Sequence, residues 1–279
     1  MKRLIVVVAT LLLGASVYAV VFGLWYGRNV VDENAFTEHA LTSFTLDGSY
    51  EALGVIVADK VVDEYPGLAL FGSSLSTLFG VLLSTPPFEP ALEELARDIH
   101  DRLLEDVGGP VVVDLDAYRQ EVVDGLNALA PGVVDLVPDD AFREYTLFEE
   151  SDIPELARET ARARTFAIAA AVVGALAATS IVVMATSVGE VFVAFGVAMF
   201  AAGGAIWLLT PASREALRVA IQDDAYRVVA LNLFDTITSS VDALVLVLVV
   251  VGSILAVGGG VLLVMQRRSS KPIDQPADR

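Results

Sequence analysis

The chain has 279 residues, 55% of them hydrophobic, with a mean hydropathy of +0.63 and a net charge of −18. This apolar fraction exceeds that of ordinary soluble domains, so membrane spans have to account for the excess. The absence of cysteine excludes disulfides, thiol nucleophiles, cysteine-ligated zinc and iron–sulfur clusters. The two histidines, His39 and His100, are too few for a three-histidine zinc site in one copy.

The negative charge is concentrated in one segment. Residues 26–164 contain 28 Asp and Glu against 9 Lys and Arg. Nucleic acid and anionic lipid head groups are therefore poor partners for this segment, because phosphate binding needs a basic surface. The whole chain has three lysines against 15 arginines, and 20 of its acids are aspartate. This balance favours a halophilic archaeon as the source, and a GC-rich genome is the alternative explanation of the arginine excess.

Four charge-free runs are long enough to cross a membrane: 4–26, 165–187, 191–210 and 243–266. At 1.5 Å per residue, each can span a hydrocarbon core of about 30 Å. Lys2 and Arg3 precede the first run and Trp25 closes it, which predicts an uncleaved signal anchor. The alternative is a cleavable signal peptide that ends near Val17-Tyr18-Ala19.

Residues 66–88 form a fifth uncharged stretch. Its large apolar residues form one stripe of a helix whose other face is small and polar. The pattern predicts a core helix of the outer domain, and a re-entrant or interfacial segment is the alternative.

The sequence thus predicts an α-helical integral membrane protein with four transmembrane helices and a mainly helical ectodomain that contains a small two-stranded sheet (α+β). Basic residues before the first span and after the last (Arg267, Arg268 and Lys271) predict cytoplasmic termini in the cell membrane. The predicted segments are a transmembrane signal anchor (1–27), an acidic extracellular domain (28–164), two transmembrane helices (165–187 and 191–210), a second extracellular segment (211–241), a transmembrane helix (242–266) and a cytoplasmic tail (267–279).

Within the ectodomain, Asp32 and Ser49 are predicted to cap two successive helices. Apolar residues at helical spacing after Pro90 predict an amphipathic helix. The β-branched run 111–115 and the run 145–148 predict two paired strands. A helix is predicted from Ser151 into the second span, and one or two short helices within 211–241.

Four short motifs follow one another along the chain: PFE to DIHD (87–101), VVVDL (111–115), TLFEESD (146–152) and NLFD (232–235). In this order they resemble a family of four-span membrane proteins known mainly from actinobacteria, and the composition favours a haloarchaeal member of it. The family implies the four-span architecture and brings no established activity, cofactor or catalytic residue. In that family the loop between the second and third spans is basic, whereas here it is Val188-Gly189-Glu190.

The candidate chemical groups are few. His100 lies among carboxylates that could raise its pKa or share a metal, but it also borders an apolar helix face, and simple packing is favoured. His39 is a weaker candidate than His100. Four acidic pairs could bind calcium or magnesium, but solvated surface is favoured because no calcium-loop pattern surrounds them. These pairs are Glu93-Glu94, Asp139-Asp140, Glu149-Glu150 and Asp223-Asp224. No catalytic, cofactor-binding or metal-binding residue is therefore assigned, and no cofactor is expected.

The spans contain no ionisable residue in their interiors, although ion pathways usually do. Small residues recur at four-residue spacing and permit close helix contact within a bundle or between copies. They are Ala170, Gly174 and Ala178; Ala194, Ala198 and Ala202; and Gly252, Ala256 and Gly260.

The leading hypothesis is a non-enzymatic cell-envelope protein whose acidic ectodomain mediates protein interaction or assembly. Its expected partners are the lipid bilayer and either another envelope protein or a second copy, and no nucleic acid. The alternatives are a transporter or channel component with an oligomeric pore lined by Ser and Thr such as Thr179 and Ser180, and an ectodomain enzyme that uses carboxylates and His100.

Overall fold

The computed structural model describes residues 2–104, 109–113, 116–129, 145–148 and 157–269. Within these residues the chain forms ten α-helices and one two-stranded sheet. In chain order the elements are α1 (Lys2–Tyr26), α2 (Glu33–Phe44), α3 (Ser49–Glu64), α4 (Gly72–Leu83), α5 (Glu89–Leu104), β1 (Val111–Val113), α6 (Arg119–Leu129), β2 (Tyr145–Phe148), α7 (Ala157–Met184), α8 (Val188–Ala220), α9 (Asp224–Thr238) and α10 (Val241–Ser269).

The chain divides into two compact units. The first, here called the bundle, comprises Met1–Trp25, Arg162–Pro211 and Ser240–Arg279. The second, here called the acidic unit, comprises Tyr26–Ala161 and Ala212–Ser239. The α-helical class and the small sheet confirm those parts of the predicted fold class.

The bundle consists of α1, α7, α8 and α10 in alternating directions. At one end the Nε1–H of Trp25 donates a hydrogen bond to Ser240 Oγ, 2.9 Å away, and Trp25 packs against the cluster of Ile206, Val241 and Leu248. At the other end a single groove is bordered by the start of α1, the end of α7, the start of α8 and the end of α10. Helices α1 and α8 therefore run one way and α7 and α10 the other.

Small residues let the bundle helices approach closely. A Cβ atom on Gly252 would lie 2.8 Å from the carbonyl oxygen of Gly196, and one on Gly14 would lie 3.2 Å from that of Ala198. Real side chains do not tolerate the first distance, so only glycine fits between α8 and α10 here. The predicted small-residue faces thus make contacts within the bundle, whereas Gly260 faces open space. Self-association through such faces stays a prediction.

Five helical runs among the described residues are long and apolar enough to cross a membrane: Lys2–Val31, Pro66–Leu83, Thr160–Met184, Val188–Ala220 and Asp224–Ser269. They make the chain compatible with a multi-pass membrane protein. The run Pro66–Leu83, the least apolar of the five, belongs to the acidic unit. There Leu68, Leu75 and Phe79 are buried, and α4 packs against α3. The count of four spans stays a prediction.

The acidic unit is built on the pairs α2–α9, α3–α9, α2–α5 and α3–α4. Beside them β1 and β2 pair antiparallel, with Val111 opposite Phe148 and Val113 opposite Tyr145. This confirms the predicted strand pair, although residues 114 and 115 lie outside the described residues. The predicted start of a helix at Ser151 also lies outside them, and α7 is described from Ala157.

The two predicted helix caps have different outcomes. Asp32 caps α2, because its carboxylate accepts a hydrogen bond from the Ala35 backbone N–H at 2.9 Å. The prediction for Ser49 is wrong, since the residue that precedes α3 is Gly48, in the left-handed region at φ 80°. Ser49 is instead the first residue of α3, and its hydroxyl donates to the Ser43 carbonyl oxygen at 2.7 Å.

Candidate functional site: the cleft around Tyr50

Tyr50 stands between two adjoining hollows of the acidic unit, here called together the Tyr50 cleft. The hollows measure about 410 and 390 Å³. Both are bordered by Thr45, Tyr50 and Ser84. Their walls come from the turn between α2 and α3, the first turns of α3, the exposed face of α4, and the start of α5.

Two local features shape this cleft. Gly48 takes a positive φ that favours glycine, so the chain can turn sharply between α2 and α3. Asn232 of α9 holds that turn, because its side-chain amide donates to the Asp47 carbonyl oxygen at 3.2 Å and to Ser49 Oγ at 2.7 Å. The wall formed by the turn therefore depends on a residue far away in the sequence.

The polar groups of the cleft are mostly hydrogen-bond acceptors. Three hydroxyls donate to backbone oxygens of their own helix end: Thr45 to Thr42, Ser84 to Val81 and Thr85 to Leu82, at 2.7, 2.7 and 2.6 Å. Only the lone pairs of these oxygens remain for a ligand. The carboxylates of Asp47, Glu51 and Glu89 add further acceptors, and none of the described lining residues is Lys or Arg.

Exposed apolar side chains lie among these acceptors. Leu46 is 39% exposed, Val55 36% and Val81 59%, and all three line the larger hollow beside the half-buried Tyr50 ring. The Tyr50 hydroxyl forms no hydrogen bond with a described residue. An apolar patch with a polar rim is typical of a surface that binds another protein.

His100 lies in the core of the acidic unit and is only 3% exposed. Its Nε2–H donates to the Val31 carbonyl oxygen at 3.2 Å, and its ring packs against Phe36 with centroids 5.2 Å apart. Nδ1 is buried, lies 3.5 Å from an Asp101 carboxylate oxygen and has no hydrogen-bond partner among the described residues. The geometry is that of a packed side chain away from the Tyr50 cleft.

His39 makes a similar contact on the same short segment. Its Nε2 lies 3.2 Å from Asn29 Oδ1. Asn29 and Val31 both belong to a π-helical turn, Gly27–Val31, between α1 and α2. Both histidines of the chain thus hold this turn, which the sequence pattern did not indicate.

In the two acidic pairs within the described residues, Glu93, Asp223 and Asp224 have structural partners. Glu93 pairs with Arg97, and Asp224 pairs with Arg227. Asp223 caps α9 by accepting hydrogen bonds from two backbone N–H groups, at 2.9 and 3.1 Å. Asp139-Asp140 and Glu149-Glu150 lie outside the described residues. Among the described residues, no group of three or more His, Asp or Glu side chains could hold a metal ion.

Asp59 has a perturbed pKa. Partial burial, followed by the negative charges of Asp223 and Asp63, raises the pKa of its carboxyl group above the ordinary 3.8. Asp223 at the start of α9 and Asp59 in the middle of α3 are therefore close enough for their negative charges to repel each other.

The cleft itself was missed by the sequence reasoning. The exposed face of α4 with Ser76 and Thr77 belongs to the small polar face that the sequence pattern predicts, and this is the available signal. The pattern does not indicate that α3 and the preceding turn face the same hollow.

Comparison with protein-family models, with curated proteins and with solved structures finds no match to this chain. The resemblance to the four-span actinobacterial family stays a prediction.

Proposed function

We propose that this chain is a non-enzymatic, four-span cell-envelope membrane protein whose acidic ectodomain binds a protein partner in the Tyr50 cleft. The observation that carries the proposal is the cleft's combination of exposed apolar side chains with a rim of acceptors and carboxylates. The run Pro66–Leu83 is assigned to the ectodomain rather than to the membrane, because Leu68, Leu75 and Phe79 along one face are already buried against protein.

The membrane part of the proposal is supported by the outer surfaces of α1, α7, α8 and α10. Large apolar side chains such as Leu11, Leu176 and Ile254 are exposed there, and bilayer lipid would cover them. Basic residues at the start of α1 and the end of α10 favour cytoplasmic termini, which places residues 28–164 and 211–241 outside the cell.

The chemistry of the cleft selects one kind of partner. Apart from the Tyr50 hydroxyl, its free polar groups accept hydrogen bonds, and three are carboxylates, so a complementary segment donates hydrogen bonds and carries Lys or Arg. Its apolar residues suit a large aliphatic or aromatic side chain beside that cation. At high salt the long-range attraction is screened, and direct hydrogen bonds and apolar contact supply the affinity.

The channel alternative gains no specific support. The Thr179 hydroxyl donates to the Ala175 carbonyl oxygen and the Ser180 hydroxyl to that of Leu176, both at 2.8 Å. Both side chains are thus engaged within α7.

Site-specific photo-crosslinking in native membranes tests the proposal. A photoreactive amino acid at Val81, inside the cleft, is expected to capture a discrete protein. The same group at Leu70, which is 92% exposed and outside the cleft, is the matched control. Adducts from Val81 that disappear with Glu51→Arg support the proposal. Equal adducts from both positions, or none from Val81, contradict it.

The membrane assignment has its own test. Alkaline carbonate extraction is expected to leave the chain in the membrane pellet, and protease added to intact cells is expected to cut the ectodomain. Protection of residues 28–164 with cleavage of the tail would show that the orientation is inverted.

A further inference from the structure

Two apolar grooves on the bundle are alike in size and differ in charge. The first, here called the basic groove, measures about 390 Å³ and lies between α1, α8 and the end of α10. Val6, Leu11, Val197 and Leu263 line it, and Lys2 and Arg3 lie at one end. The second, here called the neutral groove, measures about 430 Å³ and lies between α1 and α7, and none of the described residues that line it is charged.

The two cations of the basic groove are available to a ligand. The side chains of Lys2 and Arg3 are exposed, and neither forms a hydrogen bond or ion pair with a described residue. Because Lys2 and Arg3 lie at one end of an apolar groove, the basic groove is complementary to a molecule with an anionic head group and a hydrocarbon chain.

Of the described residues that line the basic groove, Glu190 is the one carboxylate. It accepts hydrogen bonds from the backbone N–H and the hydroxyl of Thr186, at 2.8 and 2.9 Å. The charges of Arg3 and Arg267 also act on it. Among the described residues that line this groove, one carboxylate that is already hydrogen-bonded thus faces the two cations Lys2 and Arg3, and the sum of these charges is positive.

We propose that the basic groove binds one anionic phospholipid, with its phosphate at Lys2 and Arg3 and an acyl chain along the apolar walls. Basic pockets between transmembrane helices recognise anionic head groups in this way. The neutral groove accepts lipid without regard to the head group. The proposal rests on the membrane insertion proposed above, and it concerns the bundle and not the acidic unit.

Native mass spectrometry of the full purified chain tests head-group selectivity. The probes are phosphatidylglycerol and phosphatidylcholine with identical acyl chains, added in equal amounts. We expect one tightly retained phosphatidylglycerol. Each of Lys2→Gln and Arg3→Gln is expected to weaken its retention about fivefold, since a basic residue near the surface contributes about that factor. Glu190→Gln is expected to strengthen it, and Lys60→Gln, a loss of one cation from α3, is expected to change nothing.

A second pair of variants separates a groove site from simple adsorption of head groups. Val197→Trp fills the basic groove without changing its charge, and Val172→Trp places the same bulk on an exposed position of α7 that lines neither groove. We expect Val197→Trp alone to abolish the selective retention. Selectivity that survives Val197→Trp would overturn the groove site. Equal retention of both lipids by the unaltered chain would overturn it as well.

Failure of this inference is distinguishable from failure of the proposed function. A chain that alkaline extraction releases from membranes would contradict the four-span proposal itself. A chain that stays in the membrane but shows no preference between the lipids would contradict only the lipid site.

Discussion

Gly54 of α3 lies directly against Gly80 of α4, where the two helices cross. A Cβ atom on Gly54 would lie 2.5 Å from the backbone nitrogen of Gly80 and closer still to the carbonyl oxygen of Ser76. A Cβ on Gly80 would lie 3.1 Å from the carbonyl oxygen of Tyr50. The crossing thus brings the backbones together beneath the Tyr50 cleft and sets the distance between its walls.

Gly54→Ala is therefore expected to destabilise the acidic unit. The methyl group has no room between two backbones, and overpacking of this kind costs about 1–3 kcal/mol. Hydrogen exchange of the α3 and α4 amides measures the loss locally. Gly72→Ala, at a glycine of α4 with open space around it, is the control and should be neutral or slightly stabilising. Equal protection in the Gly54 variant and the wild type would show that the helices do not cross at this glycine.

Asn232→Ala is expected to loosen the turn between α2 and α3. It removes two hydrogen bonds to that turn and leaves buried Ser49 with one partner fewer, at a cost of about 1–3 kcal/mol. Faster hydrogen exchange of the backbone amides of residues 45–50 and weaker crosslinking from Val81 should appear together. Asn127→Ala, on the exposed side of α6, is the matched control. An unchanged turn would show that Asn232 does not hold it.

Glu51→Arg is expected to weaken partner binding without unfolding the chain. Glu51 is exposed at the cleft, so the reversed charge repels a basic partner while the fold loses little. Glu38→Arg reverses one exposed charge on α2, outside the cleft, and should leave binding intact. Binding is compared by crosslinking yield in the same membranes. Similar losses in both variants would indicate dependence on overall charge rather than on the cleft.

Asp59→Asn is expected to stabilise the acidic unit at neutral pH. The raised pKa means that the folded state favours the protonated carboxyl, so this group's contribution to stability is fully present below pH 3.8 and is lost as the pH rises. The variant should therefore unfold at a higher temperature than wild type near pH 7, and the advantage should vanish near pH 3. Circular dichroism measures both, with Glu38→Gln as control. High salt should reduce the gain, because it screens the repulsion from Asp223 and Asp63. A gain that persists at acid pH would contradict this account.

The sequence pattern predicts the parts of the fold that depend on neighbouring residues. Asp32 is recognisable as a cap because its partner N–H lies three residues away. The strand pair 111–113 and 145–148 follows from β-branched and alternating residues. The buried stripe of residues 66–83 follows from helical spacing, and Leu75 and Phe79 are buried as expected.

Features that join distant segments were not predictable in this way. Ser49 has the chemistry of a cap, but it is held by Asn232, which lies 183 residues further along. The π-helical turn Gly27–Val31 has no local signature and is held by His39 and His100. The Tyr50 cleft likewise arises only where α3, α4 and a turn converge, so composition and periodicity do not indicate it.

Trp25 and Trp207, the two tryptophans of the chain, both belong to the bundle. Trp25 packs against the cluster that contains Ile206, the residue before Trp207, so both tryptophans lie toward one end of the bundle, and Trp207 is 62% exposed. Intrinsic tryptophan emission therefore reports the surroundings of that end alone. Lipids brominated at graded depths would quench it according to where this end sits in a bilayer.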